Sequence, residues 1–366
     1  MKIALLATAD SPHSGRWANF FAERGHQVHW ISLVPFDGIF GGPTVPGITR
    51  HHLGPTPRGP LGIWRTVGAV KQVLRAVQPD LLHAHYLGLY GMVAALTGFH
   101  PFVGTAWGSD VVVAGKSWYK RPILKWILAR TDVLTCDANH MKEAMVKLGV
   151  PPDKITVIFF GTDTRKFRPG LDRDAFRRRF ANGDHPLIVS TRSLEPIYDI
   201  PTLLRAAPLV LKDAPETRFM VVGRGSLRES LEAEAKALGL DGKLGFVGAV
   251  TGQEMPLCVA AGDIYVSTSL SDGGLAASTA EAMAAELPVV VSDSADNREW
   301  VAEGKGGYLF PVSQPATLAE RILHLIRHPE ERRQFGAFNR KVIQERNDYY
   351  VEMEKIERLY ERTIRQ

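Results

Sequence analysis

Cysteine is scarce in this chain of 366 residues, which contains only Cys136 and Cys258. The two cysteines are far apart in the sequence, and neither belongs to a CxxC pair. This pattern excludes a disulfide framework and argues against a cysteine-based zinc site. We therefore expect a reducing, cytoplasmic setting, and we predict neither a resident metal nor a bound cofactor.

Long hydrophobic runs are also absent from the sequence. A membrane-spanning helix needs about 18 or more consecutive apolar residues, and no stretch approaches that length. The N-terminal run Lys2–Ala9 is too short, and Asp10 follows it directly, so it predicts a first β-strand rather than a signal peptide. Solenoid-length repeats and low-complexity segments are lacking as well, and the composition is that of a soluble globular protein.

Charge is unevenly distributed along the chain. Residues 1–170 contain 19 Lys and Arg against 10 Asp and Glu, whereas residues 171–366 contain 25 against 29. A basic first half favours an anionic partner such as membrane phospholipid, a phosphorylated lipid or nucleic acid, although a plain solubility bias gives the same counts.

The segment Lys116–Arg130 concentrates this basic character. It combines Trp118, Tyr119 and Trp126 with five cations, a mixture suited to the interface of an anionic membrane. We predict a peripheral membrane contact here, at the inner face of the membrane. The alternative is an amphipathic helix that turns its apolar side to the core and its basic side to solvent.

Short apolar runs alternate with longer amphipathic stretches in both halves of the chain, a pattern typical of βαβ units and parallel sheets. The predicted strands are Lys2–Ala7, Gln27–Ser32, Leu81–His85, Phe102–Thr105, Val133–Cys136, Ile155–Ile158, Leu187–Ser190, Arg218–Val222, Leu244–Val247, Ile264–Ser267, Val289–Ser292 and Tyr308–Phe310. Two such series predict an α/β protein with two facing, Rossmann-like, doubly wound domains and a ligand cleft between them. The predicted domains are 1–168 and 169–343, followed at 344–366 by a helix packing back toward the first domain.

The turn after the first strand is informative because it lacks the GxGxxG pattern of dinucleotide-binding proteins. It contains Ser14 and Gly15, whose small side chains would let an anion or a sugar approach the start of the following helix. An ordinary turn between a strand and a helix is the alternative.

The segment Ser267–Ser292 predicts a strand, a glycine loop, a helix and a second strand. Gly273 and Gly274 permit close backbone approach, and the helix start at Ala277, Ser278 and Thr279 offers free N–H groups to a phosphate. Glu281 lies a turn further on, where its carboxylate can accept hydrogen bonds from the vicinal hydroxyls of a ribose. Ser278 and Glu281 also match a capping box, in which Glu281 would only close the helix start.

Two histidines, His83 and His85, are spaced so that both point to the same face near the end of one strand. No carboxylate or cysteine partner is evident nearby, so a metal site is disfavoured. His85 lies closer to the predicted cleft, where it would contact the sugar or the acceptor. A plain strand-end histidine is the alternative.

Several motifs in sequence order resemble glycosyltransferase family 4, whose members are retaining enzymes of the GT-B fold. The likeness covers nearly the whole chain, and its most specific part is Glu281–Ala284 with Leu287–Val290. The other matching segments are Gly25–Val28, Pro79–His85, Thr105–Asp110, Val157–Asp163, Phe167–Pro169, Val221–Gly225 and Phe246–Gly248.

This resemblance assigns roles to the two domains and to particular residues. It implies that the first domain is the acceptor side and that the second binds the nucleotide sugar. Trp107 and Asp110 would lie beside the donor sugar, and Gly161 at the junction of the lobes. The implied nucleotide-lobe turns contain Gly223, Gly225 and Gly248.

The chain also departs from the family pattern. The family pairs an Arg with a Lys, both reaching the donor diphosphate; here Arg192 is kept, but Tyr198 stands where the Lys is expected. The family places two Glu eight positions apart, whereas the nearest acid before Glu281 is Asp272, nine positions earlier. Trp107 stands where a His is common. These departures concern the donor contacts more than the fold.

The activity that the resemblance implies is retaining, metal-independent transfer of a hexose from a nucleotide-diphosphate sugar. The acceptor would be a glycan, a lipid-linked molecule or a small molecule in polysaccharide or glycolipid biosynthesis, and no nucleic-acid partner is expected. The predicted catalytic residues are Arg192, Glu281, Asp272 and His85. A sugar-nucleotide 2-epimerase of the same fold and a non-catalytic nucleotide-sugar- or lipid-binding protein are the alternatives.

Overall fold

The computed structural model describes residues 1–37, 45–181, 183–272, 274–294 and 296–365. Contacts between Cα atoms divide the chain into two compact units, which we call unit 1 (Met1–Phe160 with Tyr350–Gln366) and unit 2 (Gly161–Tyr349). Each unit contains one parallel sheet with helices between its strands, so the prediction of two Rossmann-like domains is confirmed. None of the helices described is both long and apolar enough to cross a bilayer.

The described part of unit 1 forms a seven-stranded sheet. Its strands are β1 (Lys2–Leu6), β2 (Gln27–Ser32), β3 (Ile48–His52), β4 (Leu81–His85), β5 (Phe102–Thr105), β6 (Val133–Cys136) and β7 (Ile155–Val157). They lie in the order β3-β2-β1-β4-β5-β6-β7, and every pair is parallel. Because the order reverses between β1 and β4, the carboxyl ends of these two strands are the expected ligand position.

Strand β3 was not predicted from the sequence. Its residues Ile-Thr-Arg-His-His are mostly polar and only partly buried, since β3 is the edge strand beside β2. The signal that identified the other strands, a buried apolar run, is therefore missing. Each predicted strand begins and ends within one residue of an observed one.

The helices of unit 1 before its last segment connect these strands. They are α1 (Pro12–Glu23), α2 (Gly59–Val77), α3 (Leu89–Thr97), α4 (Ser109–Val112), α5 (Lys120–Arg130) and α6 (Asn139–Lys147). Helix α2 shows how an amphipathic helix packs on the sheet. Its residues Val67, Val70 and Leu74 recur at helical spacing and are buried in one cluster with the sheet.

The described part of unit 2 forms a six-stranded sheet in the order β10-β9-β8-β11-β12-β13. The strands are β8 (Leu187–Ser190), β9 (Arg218–Val222), β10 (Leu244–Gly248), β11 (Ile264–Ser267), β12 (Val289–Ser292) and β13 (Gly307–Phe310). Central strands such as β11 and β12 are buried throughout, which explains their continuous apolar runs. The order reverses between β8 and β11.

The helices of unit 2 cover both faces of this sheet. They are α7 (Asp174–Phe180), α8 (Ile200–Asp213), α9 (Arg228–Ala237), α10 (Met255–Ala261), α11 (Ala277–Ala284), α12 (Asn297–Trp300), α13 (Pro315–Arg327) and α14 (Pro329–Arg346). Helices α8 and α13 pack side by side and bury Leu203, Val210, Leu318 and Ile322 in the largest core cluster of the unit.

The last helix, α15 (Tyr349–Arg365), belongs almost entirely to unit 1. The Tyr360 ring is fully buried, stacks on Phe21 at 4.9 Å between centroids, and its hydroxyl is hydrogen-bonded to His83. Glu357 binds Arg24 at 2.8 Å. These contacts tie α15 to α1 and to β4.

Candidate active site

The carboxyl ends of β8 and β11 in unit 2 gather most of the predicted donor residues. Arg192 follows β8 by two residues and is 7% exposed. Its guanidinium forms an ion pair with Asp272 and donates hydrogen bonds to Ser278 Oγ at 2.9 Å and to Ser269 Oγ at 3.4 Å. Arg192 is therefore not a surface residue.

Tyr198 and Glu195 lie on the same loop as Arg192. The guanidinium of Arg192 lies 4.3 Å from the centre of the Tyr198 ring, a cation–π contact that fixes the plane of the guanidinium. Glu195 instead accepts hydrogen bonds from the backbone N–H and the hydroxyl of Ser226. Glu195 thus contacts Ser226, whereas the ion pair of Arg192 is with Asp272.

Buried polar atoms without protein partners surround this arginine. Among the described residues, Arg192 Nε, Asp272 Oδ2, Ser190 Oγ and Ser267 Oγ find no hydrogen-bond partner. Buried polar groups are nearly always hydrogen-bonded, so several together mark a place where ordered water or a polar ligand is expected.

Tyr265, in β11, was missed by the sequence analysis. It is fully buried beside Arg192 and beside the hydroxyls of Thr191, Ser278 and Thr279, and burial raises the pKa of its hydroxyl. In the sequence it is one aromatic residue within an apolar strand. Only the neighbouring Ser and Thr residues at strand ends could have drawn attention to it.

Helix α11 begins at Ala277, with Ala276 at the N-cap position and no side chain capping the end. Ser278 lies in the first turn and binds Arg192, while Glu281 is half-buried and lies one turn further along. The capping box is thus wrong, because Ser278 is not the capping residue. Thr279 is buried, and Ala277 is exposed at the helix start.

Two of the predicted glycines of unit 2 are needed for close packing of the backbone. A Cβ at Gly223 would overlap the carbonyl oxygen of Arg192, and one at Gly225 would overlap that of Leu194. These two glycines let the turn after β9 pack on the turn that carries Arg192. They position the arginine through its backbone, and no ligand is needed to explain them.

Three of the remaining predicted glycines of unit 2 have left-handed backbone conformations. Gly274 has φ +110° and Gly248 has φ +87°, values that other residues rarely adopt. Gly161 has φ +71°, and a Cβ there would overlap the backbone of Tyr349. Gly273 lies outside the described residues.

In unit 1, the carboxyl ends of β1, β4 and β5 carry a cluster of histidines and tryptophans. The His85 ring contacts Trp17 at 4.6 Å and Trp107 at 5.5 Å between centroids. His13 stacks on Phe160 at 4.4 Å and meets Trp107 at 5.5 Å.

His83 and His85 differ in the hydrogen bonds of their ring nitrogens, although they lie only two residues apart. His83 is hydrogen-bonded to the hydroxyl of Tyr360 and, at 2.6 Å, to that of Thr105, so both of its nitrogens are used within unit 1. His85 is 1% exposed, yet neither of its ring nitrogens finds a partner among the described residues. His83 is therefore held by contacts within unit 1, whereas both ring nitrogens of His85 have no partner among the described residues.

Burial keeps these imidazoles neutral. It lowers the pKa of His83 to about 3 and, with the nearby Arg16 charge, that of His13 to about 4. The pKa of His85 is lowered well below its ordinary value by burial and by the neighbouring His83 and His13. At neutral pH, His85 offers one hydrogen-bond donor and one acceptor without a charge.

Helix α1 begins at Pro12, so Ser14 and Gly15 lie in its first turn rather than in the preceding loop. Gly15 N donates to Ser11 O at 3.3 Å. The buried hydroxyls of Ser11 and Ser14 and the indole N–H of Trp107 find no partner in the described chain. These groups lie at the end where β1 meets β4, the reversal point of the sheet.

Asp110 holds the loop that carries Trp107. It is buried and accepts hydrogen bonds from the backbone N–H groups of Leu87 at 2.7 Å and Trp107 at 2.9 Å. Burial raises the pKa of its carboxyl, against the effect of these hydrogen bonds. These two hydrogen bonds give Asp110 a positioning role.

The predicted membrane segment is partly corrected by the structure. Trp118 is 87% exposed and Tyr119 is 56% exposed. Trp126, in contrast, packs against two core clusters and is covered by the guanidinium of Arg130 at 4.1 Å. Trp126 therefore belongs to the amphipathic, core-facing side of α5.

Comparison with known proteins agrees with this architecture. Residues 2–138 match the family described as glycosyl transferase 4-like, and residues 172–342 match glycosyl transferases group 1. A phosphatidyl-myo-inositol mannosyltransferase of Mycobacterium tuberculosis is 24% identical over 98% of this chain and 88% of its own length. A GDP-mannose-dependent α-(1-6)-phosphatidylinositol monomannoside mannosyltransferase of Mycolicibacterium smegmatis is 26% identical over 69% of this chain and 68% of its own.

Solved structures share the fold. Anabaena HepE, solved in complex with UDP, has a TM-score of 0.82 at 19% identity, with 98% of this chain and 99% of that one covered. Sucrose-phosphate synthase from Thermosynechococcus elongatus has a TM-score of 0.80 at 19% identity, with 99% and 98% covered. The chain therefore has the GT-B fold, and its two parts match the glycosyl transferase 4-like family and the glycosyl transferases group 1 family.

Proposed function

We propose that this protein transfers a hexose from a nucleotide-diphosphate sugar with retention of configuration and without a metal ion. The observation that carries the proposal is the buried Arg192 at the β8–β11 reversal point, surrounded by polar atoms that have no partner within the described part of the chain. Structural neighbours solved with UDP and with UDP-glucose support a nucleotide-sugar donor.

The leaving diphosphate gains negative charge as the glycosidic bond breaks. Arg192 can hold two phosphate oxygens with its planar fork, and the uncapped start of α11 directs free N–H groups at the same region. Fixed donors of this kind act where charge develops and commonly contribute 10²–10³ in rate. No side-chain nucleophile is proposed, since the leaving phosphate can take the proton of the acceptor.

Asp272 has to share or release Arg192 when the donor binds, because its carboxylate already neutralises that guanidinium. We propose that Asp272 then faces the sugar, and that Glu281 accepts hydrogen bonds from the ribose hydroxyls. Asp272→Asn should therefore strengthen the binding of a nucleoside diphosphate, which lacks the sugar, by about threefold to tenfold. Weaker diphosphate binding in this variant would contradict the competition for Arg192.

We propose that the carboxyl ends of β1, β4 and β5, which we call the unit 1 edge, bind the acceptor and part of the donor sugar. His85, Trp107, Ser14 and Ser11 present neutral donors and acceptors that lack protein partners in the described chain. Sugar hydroxyls need this combination, and a charged imidazole is not required.

A lipid-linked acceptor fits the exposed residues of unit 1. The relatives named above act on phosphatidylinositol derivatives, and here Trp118, Tyr119 and Ile123 are exposed beside Lys120 and Arg121. We propose that this surface touches an anionic membrane at its cytoplasmic side. Partition to neutral and anionic vesicles alike, or to neither, would contradict the membrane contact.

The test variant and the control variant for co-sedimentation with vesicles both lie in unit 1. Replacing Trp118 and Tyr119 together by Ser should reduce co-sedimentation with anionic vesicles. Trp64→Ser is the control, since Trp64 is also exposed, at 60%, but lies on α2.

A screen of nucleotide sugars with and without acceptor lipids tests the proposed activity. A transferase releases nucleoside diphosphate and forms a glycosylated acceptor. A sugar-nucleotide 2-epimerase gives a free or epimerised sugar without an acceptor. Binding of the nucleotide sugar without turnover under every condition would indicate the non-catalytic alternative, which the absence of the expected Lys at Tyr198 favours.

A further inference from the structure

Three potential metal ligands converge at the corner between helices α13 and α14 of unit 2. His324 lies in the last turn of α13, His328 precedes α14 at its N-cap position, and Glu331 lies in the first turn of α14. One ligand atom from each of the three side chains lies within 4.8 Å of the other two. These residues have no part in the proposed transfer.

The two imidazoles are held in defined orientations. His328 Nδ1 donates to the backbone oxygen of His324 at 2.7 Å, since a carbonyl can only accept. The proton is thus on Nδ1, and Nε2 carries the lone pair that a metal needs. The His324 ring packs edge-on against Tyr308 at 5.3 Å and stacks on His328 at 4.2 Å between centroids.

Glu331 completes the cluster from the second helix. Its Oε2 lies 2.5 Å from His324 Nε2, so the carboxylate and that nitrogen approach the same point. The carbonyl groups of Leu325 and Ile326 at the end of α13 are already bound by Arg332, at 3.3 and 3.4 Å. The helix end itself is therefore occupied, and the three side chains alone carry the inference.

We propose that His324, His328 and Glu331 bind one Zn²⁺ ion that clips α13 to α14. Two imidazole nitrogens and one carboxylate oxygen are a common zinc donor set, and such a set leaves one position of the tetrahedron for water. The ion would enter between His324 and Glu331 and replace their direct contact, and the proton of His324 Nε2 would move to Nδ1 of the same ring or to water. It stabilises unit 2 and takes no part in sugar transfer.

The test uses the whole chain without a histidine tag, freed of metal with a chelator. Calorimetric titration with ZnCl₂ should show one binding site per chain. A saturating concentration of about 100 times the dissociation constant should raise the unfolding temperature by about 5 °C.

His328→Asn removes the imidazole but keeps a residue that is favoured at helix N-caps, so the fold should be retained. Glu331→Gln removes the carboxylate charge in an equally small change. Each variant should weaken Zn²⁺ binding by at least about tenfold, whereas His52→Asn, at an exposed histidine of unit 1, should leave it unchanged.

Absence of a Zn²⁺-dependent rise in the unfolding temperature of the unmodified chain would overturn the proposal. Equal Zn²⁺ binding by the unmodified chain and both variants would overturn it as well, because the ion would then lie elsewhere. If His328→Asn fails to fold without metal, Zn²⁺ binding by Glu331→Gln is the test of the site. Nucleotide binding at Arg192 is measured separately, so either proposal can fail without the other.

Discussion

The carboxyl ends of the strands in unit 1 and in unit 2, which we call the unit 1 edge and the unit 2 edge, have the same place in the strand order and opposite chemistry. In both units the candidate residues lie at the carboxyl ends of the strands where the strand order reverses. The unit 2 edge contains a buried ion pair, Arg192 with Asp272, whereas the unit 1 edge contains the neutral rings of His85 and Trp107. In the proposed function, one fold thus supplies a site for a charged diphosphate and a site for neutral hydroxyls.

The difference follows from what each ligand needs. A diphosphate carries nearly two negative charges, which a buried guanidinium and a helix N-terminus can compensate. Sugar hydroxyls need donors and acceptors, and burial keeps the unit 1 histidines neutral so that they supply both. Variants should therefore separate the two edges by their dependence on charge.

The largest effect is expected for Arg192→Ala. Loss of the buried cation should lower kcat/KM for the nucleotide sugar by at least about 10²-fold. Arg178→Ala is the matched control, because Arg178 also lies in unit 2 but its side chain is 74% exposed and forms a surface ion pair with Asp174. Near-normal turnover by Arg192→Ala would show that another cation holds the diphosphate.

The next largest effect is expected for Glu281→Gln. We expect turnover to fall by about 10–10²-fold, with an unfolding temperature close to that of the unmodified chain, because no capping box depends on this carboxylate. Steady-state kinetics and thermal unfolding check the two parts. A much lower unfolding temperature with unchanged donor affinity would assign Glu281 a structural role.

The neutral histidines of unit 1 predict a stability that depends on pH. His13 and His83, with folded pKa values of about 4 and about 3, protonate near 6.5 when unfolded. Below pH 6.5 the unfolded state therefore binds more protons than the folded state. The free energy of unfolding is highest above pH 6.5 and decreases as the pH falls toward 4. Denaturant unfolding at pH 7.5 and pH 5 should differ by up to about 2 kcal/mol per histidine. A free energy of unfolding that is constant across this range would contradict neutral burial.

A smaller effect is expected at His85. His85→Asn keeps a donor and an acceptor without the ring, and should lower transfer to the acceptor by about 10-fold. Nucleoside diphosphate affinity should stay within about twofold, since the proposed diphosphate site is in unit 2. Loss of diphosphate affinity in this variant would remove the distinction between the edges.

The smallest effect is expected for Tyr198→Phe. The ring that stacks on Arg192 is kept and only the hydroxyl is lost, so kcat/KM should fall by less than about 10-fold. Tyr198→Ala removes the ring and should cost more. Equal losses in the two variants would mean that the hydroxyl, rather than the stacking, replaces the Lys expected at this position.

Much of the fold could be predicted because its central strands are buried on both faces and appear as apolar runs. Strand β3 could not, since an edge strand with polar residues carries no such run. In the site, Arg192, Asp272 and Ser278 were each identified, but their mutual contacts depend on strands far apart in sequence. Gly223 and Gly225 were assigned to ligand binding, whereas the space beside them is filled by backbone of the Arg192 loop. Tyr265 was missed because its setting is visible only in three dimensions.

The most direct test of the account is the affinity of the protein for a nucleoside diphosphate. Calorimetric titration with UDP and with GDP should show binding of at least one of them by the unmodified chain, by Arg178→Ala and by His85→Asn. The same nucleotide should bind at least about 10²-fold more weakly to Arg192→Ala. Unchanged affinity in Arg192→Ala, or a loss of affinity in His85→Asn as large as in Arg192→Ala, would contradict the assignment of the diphosphate to the unit 2 edge.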